Sequence, residues 1–543
     1  MSNPRQLHLQ RPRHRRWVAA LCALVIGSAS CPAALAQINL PALGDTESED
    51  FGIGTERKLG EQVMREIRRD PDYLDDPVLL EYIESLWQPL VAQARANGNI
   101  GTDLDQRFAW EPFLVRDRAI NAFALPGGYV GVYLGLIALT ASRDELASVL
   151  AHELSHITQR HIARSIDNGR RQSLIGTAAM ILGVLAAARS NSADAANALI
   201  VGGQAAAIQG QLNFSRDMER EADRIGFSLL TGAGFAPGGM AAMFEKLDQS
   251  SRLNDNGAFP YLRSHPLSSE RIGEARARLG SSPAMPAGSA FEHAVAQARA
   301  RVLMDSRVDA LLRWQALDAN RAGATLTERL AGAYSSALAS TLLRDWARAD
   351  ATLQSALGLA ATEARDARAA RAVALLTAQS LFERGDPLRA AAALKPFADS
   401  GSRPVMLLAV QVSLALSFAA TPAGATGGSI GAAAAAEVQR SVDQLQTWLA
   451  LHPRDAAAWT LLSQAWTRLG QPLRALRAEA EARLALGDLN GAVDRLRAGQ
   501  RSVRSGGGNV DFIEASVIDA RLRNIEAQRR QIAADERSAA QPH

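Results

Sequence analysis

The chain has 543 residues, 47% of them hydrophobic and 21% charged, which is typical of a soluble protein and predicts two or more domains. Its formal net charge of +3 depends on five arginines among the first sixteen residues. Without residues 1–36, 54 basic residues face 56 acidic ones, a net charge of −2, which excludes a basic nucleic-acid-binding protein.

The N-terminus has the three parts of a secretory signal peptide. A basic region ends at Arg16, an apolar stretch spans about residues 17–27, and Ala34-Leu35-Ala36 forms a small-residue cleavage site. We therefore expect residues 1–36 to be removed on export, and the mature protein to lie in the periplasm, free or associated with the outer membrane. A mitochondrial presequence is the alternative, and Arg15-Arg16 leaves twin-arginine export open.

Both cysteines, Cys22 and Cys31, lie inside this predicted signal. The mature chain would then have no thiol with which to form a disulfide. Cys31 is also a candidate lipid acceptor, although the preceding Ser28-Ala29-Ser30 lacks the usual aliphatic residue. The interpretation that we favour is a soluble or peripheral periplasmic protein.

A helical segment and a small sheet are predicted next. Residues 51–82 carry apolar side chains at helical spacing. Residues 108–115, 121–124 and 129–133 are predicted strands, the last two joined by a turn at residues 126–128, Pro-Gly-Gly. This sheet precedes the helix predicted to begin near residues 141–143, and a strand beside that helix could pair with an extended polypeptide backbone.

Residues 152–156, His-Glu-Leu-Ser-His, are the residue types of a hydrolytic zinc site. A capping box at residues 142–145 predicts that a helix begins near residues 141–143, and apolar residues follow at spacings of three and four. On this helix His152 and His156 share one face and can bind a single metal ion, while Glu153 borders it. Glu153 would then contact a water molecule at the metal.

Residues 173–188 form an apolar run of sixteen residues, shorter than the roughly twenty that a bilayer span requires. We interpret this run and residues 196–211 as two helices of a hairpin that covers the active site. Peripheral contact of residues 173–188 with a membrane surface is the alternative.

A catalytic zinc ion normally has three protein ligands. The extended motif H-E-x-x-H-x-x-G-x-x-H is excluded, because this chain has Gln159 and Ile162 at the glycine and third-histidine positions. Glu219 and Asp223 are the best remaining pair, since residues four apart share a helix face. Glu219 would bind zinc, and Asp223 would orient a ligand histidine from the outer side. The alternative is a charged helix face that pairs with neighbouring arginines.

Three nearby residues receive other assignments. His161 is expected at the surface or behind the site, because it lies about 140° round the helix from His156. Glu221 is expected to be solvated. His265, in a predicted loop, is a possible fourth zinc ligand that would make the enzyme latent. The alternative is a surface histidine held extended by the following proline.

A linker rich in Ser, Pro, Ala and Gly is predicted at about residues 281–290. We therefore place a metalloprotease domain at residues 37–285, helical repeats at 286–505, and a C-terminal linker and helix at 506–543. A flexible insertion is predicted at about residues 421–431.

The region after the linker is Ala-rich and almost continuously helical. Related turns begin at Gly385 and Gly470, and large and small residues follow them at the offsets of tetratricopeptide repeats. The predicted fold class is therefore α+β and mostly helical, with a zincin-type domain and a small sheet followed by an all-α solenoid.

The motifs at residues 121–128, 152–156 and 215–223 resemble those of the HtpX-like and CAAX-prenyl-protease-like gluzincin metallopeptidases. With the signal peptide and the repeats, the chain is similar to periplasmic members of this family. The resemblance is specific over residues 50–280 and architectural beyond them. It implies a zinc endopeptidase, with one Zn²⁺ per chain, that works near the outer-membrane β-barrel assembly machinery and both assists and degrades outer-membrane proteins.

The predicted mechanism places Zn²⁺ on His152, His156 and Glu219. Glu153 takes a proton from water and delivers it to the leaving amine. A non-catalytic repeat chaperone or scaffold, with a structural or latent zinc site, is the competing class. A protease acting on lipid-embedded segments is favoured only if residues 173–188 insert in a membrane.

Overall fold

The structure, a computed structural model, describes residues 52–167, 181–183, 214–253, 259–280, 290–318, 323–419, 431–505 and 511–540. The predicted signal peptide, nearly all of both helices of the predicted hairpin, most of the linker and most of the 421–431 insertion lie outside the described residues. The fold class is confirmed: the chain is mostly helical, with one small sheet in a zincin-like domain and an all-helical region after it.

The segment 51–82 is not one helix, so that prediction is wrong. Asp76 precedes a proline, and the residue before a proline is disfavoured in the helical conformation. Asp76 instead caps the second helix, because its side chain accepts a hydrogen bond of 2.9 Å from the Leu79 N–H. The elements here are helix α1 (Ile53–Ile67), strand β1 (Tyr73–Leu74) and helix α2 (Pro77–Ala96).

The sheet has the order β1-β2-β4-β3, in which β2 and β4 are parallel and the other pairs antiparallel. The predicted turn joins β3 to β4, and Gly128 within it has a φ of +87° and too little room for a Cβ atom. Strand β3 lies at the edge of the sheet. The strands after β1 are β2 (Glu111–Val115), β3 (Ala122–Leu125) and β4 (Tyr129–Tyr133).

The helix that carries His152 and His156 runs through the core of this domain. Its Ser142 cap accepts a hydrogen bond from the Glu145 N–H, and every residue from Asp144 to Thr158 is buried. It is α5 in the series of helices that follows α2 in this domain. They are α3 (Thr102–Arg107), α4 (Leu134–Leu139), α5 (Arg143–Thr158), α6 (His161–Asp167), α7 (Arg216–Gly232), α8 (Gly238–Leu253), α9 (Pro260–Ser264) and α10 (Ser269–Leu279).

Helices α5 and α7 approach closely at Gly226. A Cβ atom at this position would lie only 3.2 Å from the Ala151 carbonyl carbon and the His152 Cα. The glycine therefore lets α7 bring its acidic side chains to the histidines of α5.

The all-helical region contains consecutive helices that pack on one another. Both turns singled out in the sequence are followed by helices that begin at a proline, Pro387 and Pro472. The tetratricopeptide assignment of this array stays a prediction. The α-helices are α11 (Ala290–Leu303), α12 (Val308–Gln315), α13 (Leu326–Leu342), α14 (Trp346–Gly358), α15 (Ala367–Glu383), α16 (Pro387–Leu394), α17 (Arg403–Ala419), α18 (Ala432–Leu451), α19 (Ala456–Arg468), α20 (Pro472–Ala485), α21 (Leu489–Ser505) and α22 (Phe512–Ala540). Short helical turns lie at Ala316–Asp318, Leu359–Glu363 and Lys395–Phe397.

Helix α11 belongs to two hydrophobic cores at once. Ala296 and Ala300 pack in the core around α5, whereas Val295 and Val302 pack in the first core of the array. In the described part of the chain, no helix combines the length and apolar character needed to cross a bilayer.

Polar contacts add to this connection. Arg299 of α11 is buried and binds both carboxylate oxygens of Asp76, and it also donates to the Tyr334 hydroxyl. Farther along the array, Arg454 donates a hydrogen bond of 2.9 Å to the Tyr129 hydroxyl at the start of β4.

Candidate metal centre

The two imidazoles of the motif converge on one point. The Nε2 atoms of His152 and His156 lie 3.0 Å apart, and both rings are fully buried. Residues four apart on α5 share a face, so the helix itself sets this convergence. Both Nδ1 atoms point away from this point toward other partners.

Two further side chains complete a group of four buried donors. Glu219 of α7 places Oε1 3.4 Å from His156 Nε2 and Oε2 3.5 Å from His152 Nε2. His265, in the loop between α9 and α10, places Nδ1 2.9 Å from Glu219 Oε1. One donor atom from each of these four residues lies within 4.8 Å of the others. The surface position that was the alternative for His265 is wrong, since its ring is 1% exposed.

This group fits a metal ion. Glu153 Oε1 is buried and makes no protein hydrogen bond within the described residues, an arrangement that is costly unless a cation or water satisfies it. Zinc binds both histidine nitrogen and carboxylate oxygen as ligands. The residues that would hold the ion are His152, His156 and Glu219, with His265 as a fourth donor.

Glu153 directs only one of its two carboxylate oxygens at the group of four donors. Its Oε2 accepts a hydrogen bond of 3.0 Å from the Ala124 N–H of strand β3, which leaves Oε1 facing the site, 3.5 Å from His265 Nε2. Burial raises the pKa of Glu153 above its usual 4.5, partly offset by the two nearby histidines. A raised pKa suits a group that must take up and release a proton near neutral pH.

Asp223 lies behind His152. Its Oδ1 is 2.9 Å from His152 Nδ1, so the acid contacts the outer nitrogen of the ring. Burial lowers the pKa of His152, but the Asp223 and Glu219 carboxylates outweigh it and raise that pKa from 6.5 to about 10. The acids therefore outweigh burial at His152, whereas burial lowers the pKa of His156 well below its usual 6.5 and keeps that ring neutral, the form that binds a metal.

Arg271 of α10 is a buried partner that the sequence did not reveal. Its guanidinium binds both oxygens of Asp223 at 2.7 and 2.9 Å, lies 2.8 Å from Glu219 Oε2, and donates to the Pro266 carbonyl. Burial raises the pKa of Asp223, but the hydrogen bonds from Arg271 and His152 lower it overall, from 3.8 to about 2. Arg271 thus links the carboxylates to the loop that carries His265.

The structure decides between the two positions expected for His161. The chain breaks helical geometry at Arg160, where φ is +51°, so the angle counted along a continuous helix does not apply to His161. His161 is fully buried behind the site, with Nδ1 2.9 Å from His156 Nδ1, which confirms the second-layer interpretation and excludes the surface one. Burial lowers its pKa.

Glu221 is not simply solvated, so that expectation is wrong. Its carboxylate lies 3.1 Å from His161 Nε2 and 3.2 Å from the Arg164 guanidinium, with 32% of the side chain exposed. The spacing of the histidines in the sequence could not predict this contact. The break in the helix at Arg160 turns the ring of His161 back toward α7.

Comparisons with known proteins agree with this geometry. Residues 85–279 match Peptidase family M48. The chain is 38% identical over 314 residues to a β-barrel assembly-enhancing protease of Vibrio cholerae, covering 56% of this chain and 61% of that protein. The Escherichia coli protein of the same name is 32% identical over 279 residues, covering 51% and 55%. The mitochondrial metalloendopeptidase OMA1 of Schizosaccharomyces pombe is 36% identical over 163 residues, covering 30% and 44%.

These alignments span little more than half the length of the curated β-barrel assembly-enhancing proteases that they match. Within that span they confirm the resemblance that the motifs at residues 121–128, 152–156 and 215–223 indicate. The chain therefore contains a domain of Peptidase family M48 and is similar, over about half of its length, to β-barrel assembly-enhancing proteases.

Proposed function

We propose that this protein is a periplasmic, zinc-dependent endopeptidase that takes part in outer-membrane β-barrel assembly and degrades β-barrel proteins that fail to assemble. The observation that carries the proposal is the convergence of His152, His156 and Glu219 beside the free Oε1 of Glu153. Three ligands with an adjacent carboxylate base are the parts of a hydrolytic site, whereas a structural site needs no base.

When bound, a zinc ion would activate water and polarise the scissile carbonyl of the substrate. Glu153 takes the proton from the attacking water at Oε1 and delivers it to the leaving amine. The Ala124 N–H keeps Oε2 in place while Oε1 exchanges the proton. Asp223 Oδ1, 2.9 Å from His152 Nδ1, favours a proton on that nitrogen and so leaves the Nε2 lone pair of His152 for the metal.

Strand β3 offers a binding edge for the substrate. It ends the sheet on one side, and its neighbour β4 lies on the other. An extended peptide can add to such an edge by backbone hydrogen bonds, with little demand on its side chains. This mode of binding suits unfolded clients of varied sequence, such as outer-membrane proteins that have not closed into a barrel.

His265 is proposed to keep the resting enzyme latent. Its Nδ1 lies 3.3 Å from His152 Nε2 and 2.9 Å from Glu219 Oε1, so it adds a fourth donor to the other three. A metal with four protein donors has no open position for catalysis. Displacement of the His265 loop would open that position.

The location and partners are proposed from the relatives' names and from the predicted signal. Two relatives that match more than half of the chain are named for β-barrel assembly. We propose unfolded or misassembled outer-membrane proteins as clients, the β-barrel assembly machinery as a partner, and a chaperone role for the helical array. Peripheral membrane contact through residues 173–188 stays a prediction.

The test is incubation of the purified mature protein with an unfolded outer-membrane protein, with zinc content measured alongside degradation. We expect Glu153→Gln to retain one zinc ion and lose cleavage, while Glu245→Gln, a half-exposed acid on α8, cleaves like wild type. Equal cleavage by Glu153→Gln and wild type would overturn the assignment. His265→Ala should raise basal cleavage, and no change would exclude the latency proposal.

A non-catalytic chaperone or scaffold is the second candidate. One observation favours it: with His265 the group has four buried protein donors, the number found in structural zinc sites. Zinc binding without cleavage by wild type or His265→Ala would favour this function, provided that the unfolded client still binds the protein.

A further inference from the structure

His161 contacts the side of His156 that faces away from the proposed metal position. The two Nδ1 atoms lie 2.9 Å apart, and His161 is completely buried. On its opposite side, His161 Nε2 lies 3.1 Å from Glu221 Oε2. His156, His161 and Glu221 therefore form a continuous chain across helices α5, α6 and α7.

The proton positions in this chain follow from the geometry. His156 directs Nε2 at His152 and Glu219, so a metal bound there requires the lone pair of Nε2 and leaves the His156 proton on Nδ1. Two protonated nitrogens cannot share a 2.9 Å hydrogen bond, so His161 Nδ1 must accept it. The proton of His161 is then on Nε2, where it is donated to Glu221.

The proposed ligands His152 and His156 both have an outer nitrogen that leads to a carboxylate. His152 contacts a carboxylate directly, with Nδ1 2.9 Å from Asp223 Oδ1. His156 reaches a carboxylate, Glu221, only through the imidazole of His161. Arg164 lies 3.2 Å from Glu221 Oε2 and keeps this acid in place at the partly exposed end of the chain.

We propose that His161 is a positioning residue for the metal, which fixes the tautomer and ring orientation of His156 while Glu221 fixes the tautomer of His161. The proposal deepens the proposed function and rests on it in one respect, that His156 is a ligand. Loss of an outer partner of a ligand histidine typically lowers metal affinity by about 10- to 100-fold.

Packing alone does not account for the arrangement. Phe214 already stacks on the His156 ring, at 3.9 Å between ring centroids and an angle of 27°. An apolar residue at position 161 would fill the same space, but it would leave the Nδ1 proton of His156 without an acceptor. The role proposed here therefore depends on a nitrogen or oxygen acceptor and not on volume.

The experiment measures the zinc affinity of the full-length mature protein by competition with a chromophoric chelator, and records the visible spectrum of the cobalt-substituted protein. We expect His161→Phe to lower zinc affinity by about 10- to 100-fold and to change the cobalt spectrum. His161→Asn, whose Oδ1 can replace Nδ1 as the acceptor, should recover a substantial part of that affinity.

His293 supplies the matched control. It is also buried, packs against this domain from α11, and has two partners, the Tyr82 hydroxyl at 2.6 Å and the Thr140 carbonyl at 3.0 Å. His293→Phe should lower the unfolding temperature and leave zinc affinity unchanged. Equal losses of affinity in His161→Phe and His293→Phe would overturn the proposal, as would wild-type affinity and spectrum in His161→Phe.

A second variant covers the case in which His161→Phe does not fold. Glu221→Ala truncates a partly exposed side chain and should lower zinc affinity several-fold in a folded protein. Unchanged affinity in Glu221→Ala, with no folded His161→Phe available, would overturn the proposal. Failure of the ligand assignment that the proposal takes from the proposed function gives a different result: His156→Ala would then bind zinc as tightly as wild type, whereas loss of cleavage alone would leave the zinc affinities of all these variants as predicted.

Discussion

The backbone N–H of Ala124 donates a hydrogen bond of 3.0 Å to Oε2 of Glu153. The edge strand that is proposed to bind the substrate is therefore joined directly to the proposed general base. Because this contact holds one oxygen, only the other is free to exchange a proton. The position of the base thus depends on the sheet as well as on helix α5.

Shortening the Glu153 side chain tests whether the position of its carboxylate matters as well as its charge. Glu153→Asp keeps a carboxylate, but with one methylene fewer it cannot both accept from Ala124 and reach the site. We expect cleavage to fall by about 100-fold, the lower end of what a positioned acid–base group contributes, with zinc content unchanged. The measurement is client degradation under single-turnover conditions, and near-wild-type cleavage would contradict the assigned geometry.

Removing Arg271 should destabilise the domain. Arg271→Met leaves the Asp223 carboxylate without its bidentate partner in a buried site, which typically costs about 3–5 kcal/mol. Chemical denaturation in the presence of a chelator measures this loss without a contribution from metal. Arg276→Met on the same helix is the control, since its ion pair with Glu245 is exposed and should contribute less than about 1 kcal/mol.

Glu84 should make stability fall as pH rises. Burial raises its pKa from 4.5 to about 7, even though Arg403 opposes the shift. Because the folded-state pKa is the higher one, the folded protein favours the protonated acid. The free energy of unfolding should therefore decrease between pH 4.5 and 8 by up to about 3 kcal/mol through this group, since each pKa unit corresponds to about 1.4 kcal/mol.

The variant Glu84→Gln tests this dependence. It should match wild type near pH 4.5 and be more stable than wild type at pH 8. Glu81→Gln is the control on the same helix: Glu81 pairs with Arg371 at 3.0 Å, so its loss should not stabilise the protein at any pH. Parallel curves for wild type and Glu84→Gln would contradict the prediction.

Arg299 should couple the peptidase domain to the helical array. Arg299→Met leaves the buried Asp76 carboxylate and the Tyr334 hydroxyl without their partner, and we expect a loss of about 3–5 kcal/mol. The double variant Arg299→Met/Asp76→Asn should recover part of this loss, because the orphaned charge is gone. An additive double variant, measured by chemical denaturation, would show that the pair is not coupled.

Much of the site could be predicted from the sequence because its residues lie at short spacings within single helices. The spacing of His152 and His156 and the cap at Ser142 act within one helix, and the i,i+4 pair of Glu219 and Asp223 acts within another. His265 could be predicted as a candidate ligand only from the short motif in which it lies. The ligand roles of these residues stay predictions, although the structure brings all of them together.

The remaining features depend on contacts between segments that are distant in the chain. Arg271 meets Asp223 across 48 residues, and His161 turns inward only because Arg160 adopts a positive φ. The false continuous helix over residues 51–82 has a local cause, since the effect of proline on its preceding residue was outweighed by apolar periodicity. Periodicity predicts which face of an element is buried, but not which side chains meet there.

Helix α11 sets a limit on how this protein can be divided. The family match ends at residue 279, yet His293 of α11 supplies the partner of both Tyr82 and the Thr140 carbonyl in the peptidase core. A chain cut before Ala290 would expose those groups to water, together with the apolar side chains that α11 covers. A chimaera that carries the helical array of a relative would therefore fold only if α11 stayed with the peptidase domain. The new array would also have to pack against the outward face of α11.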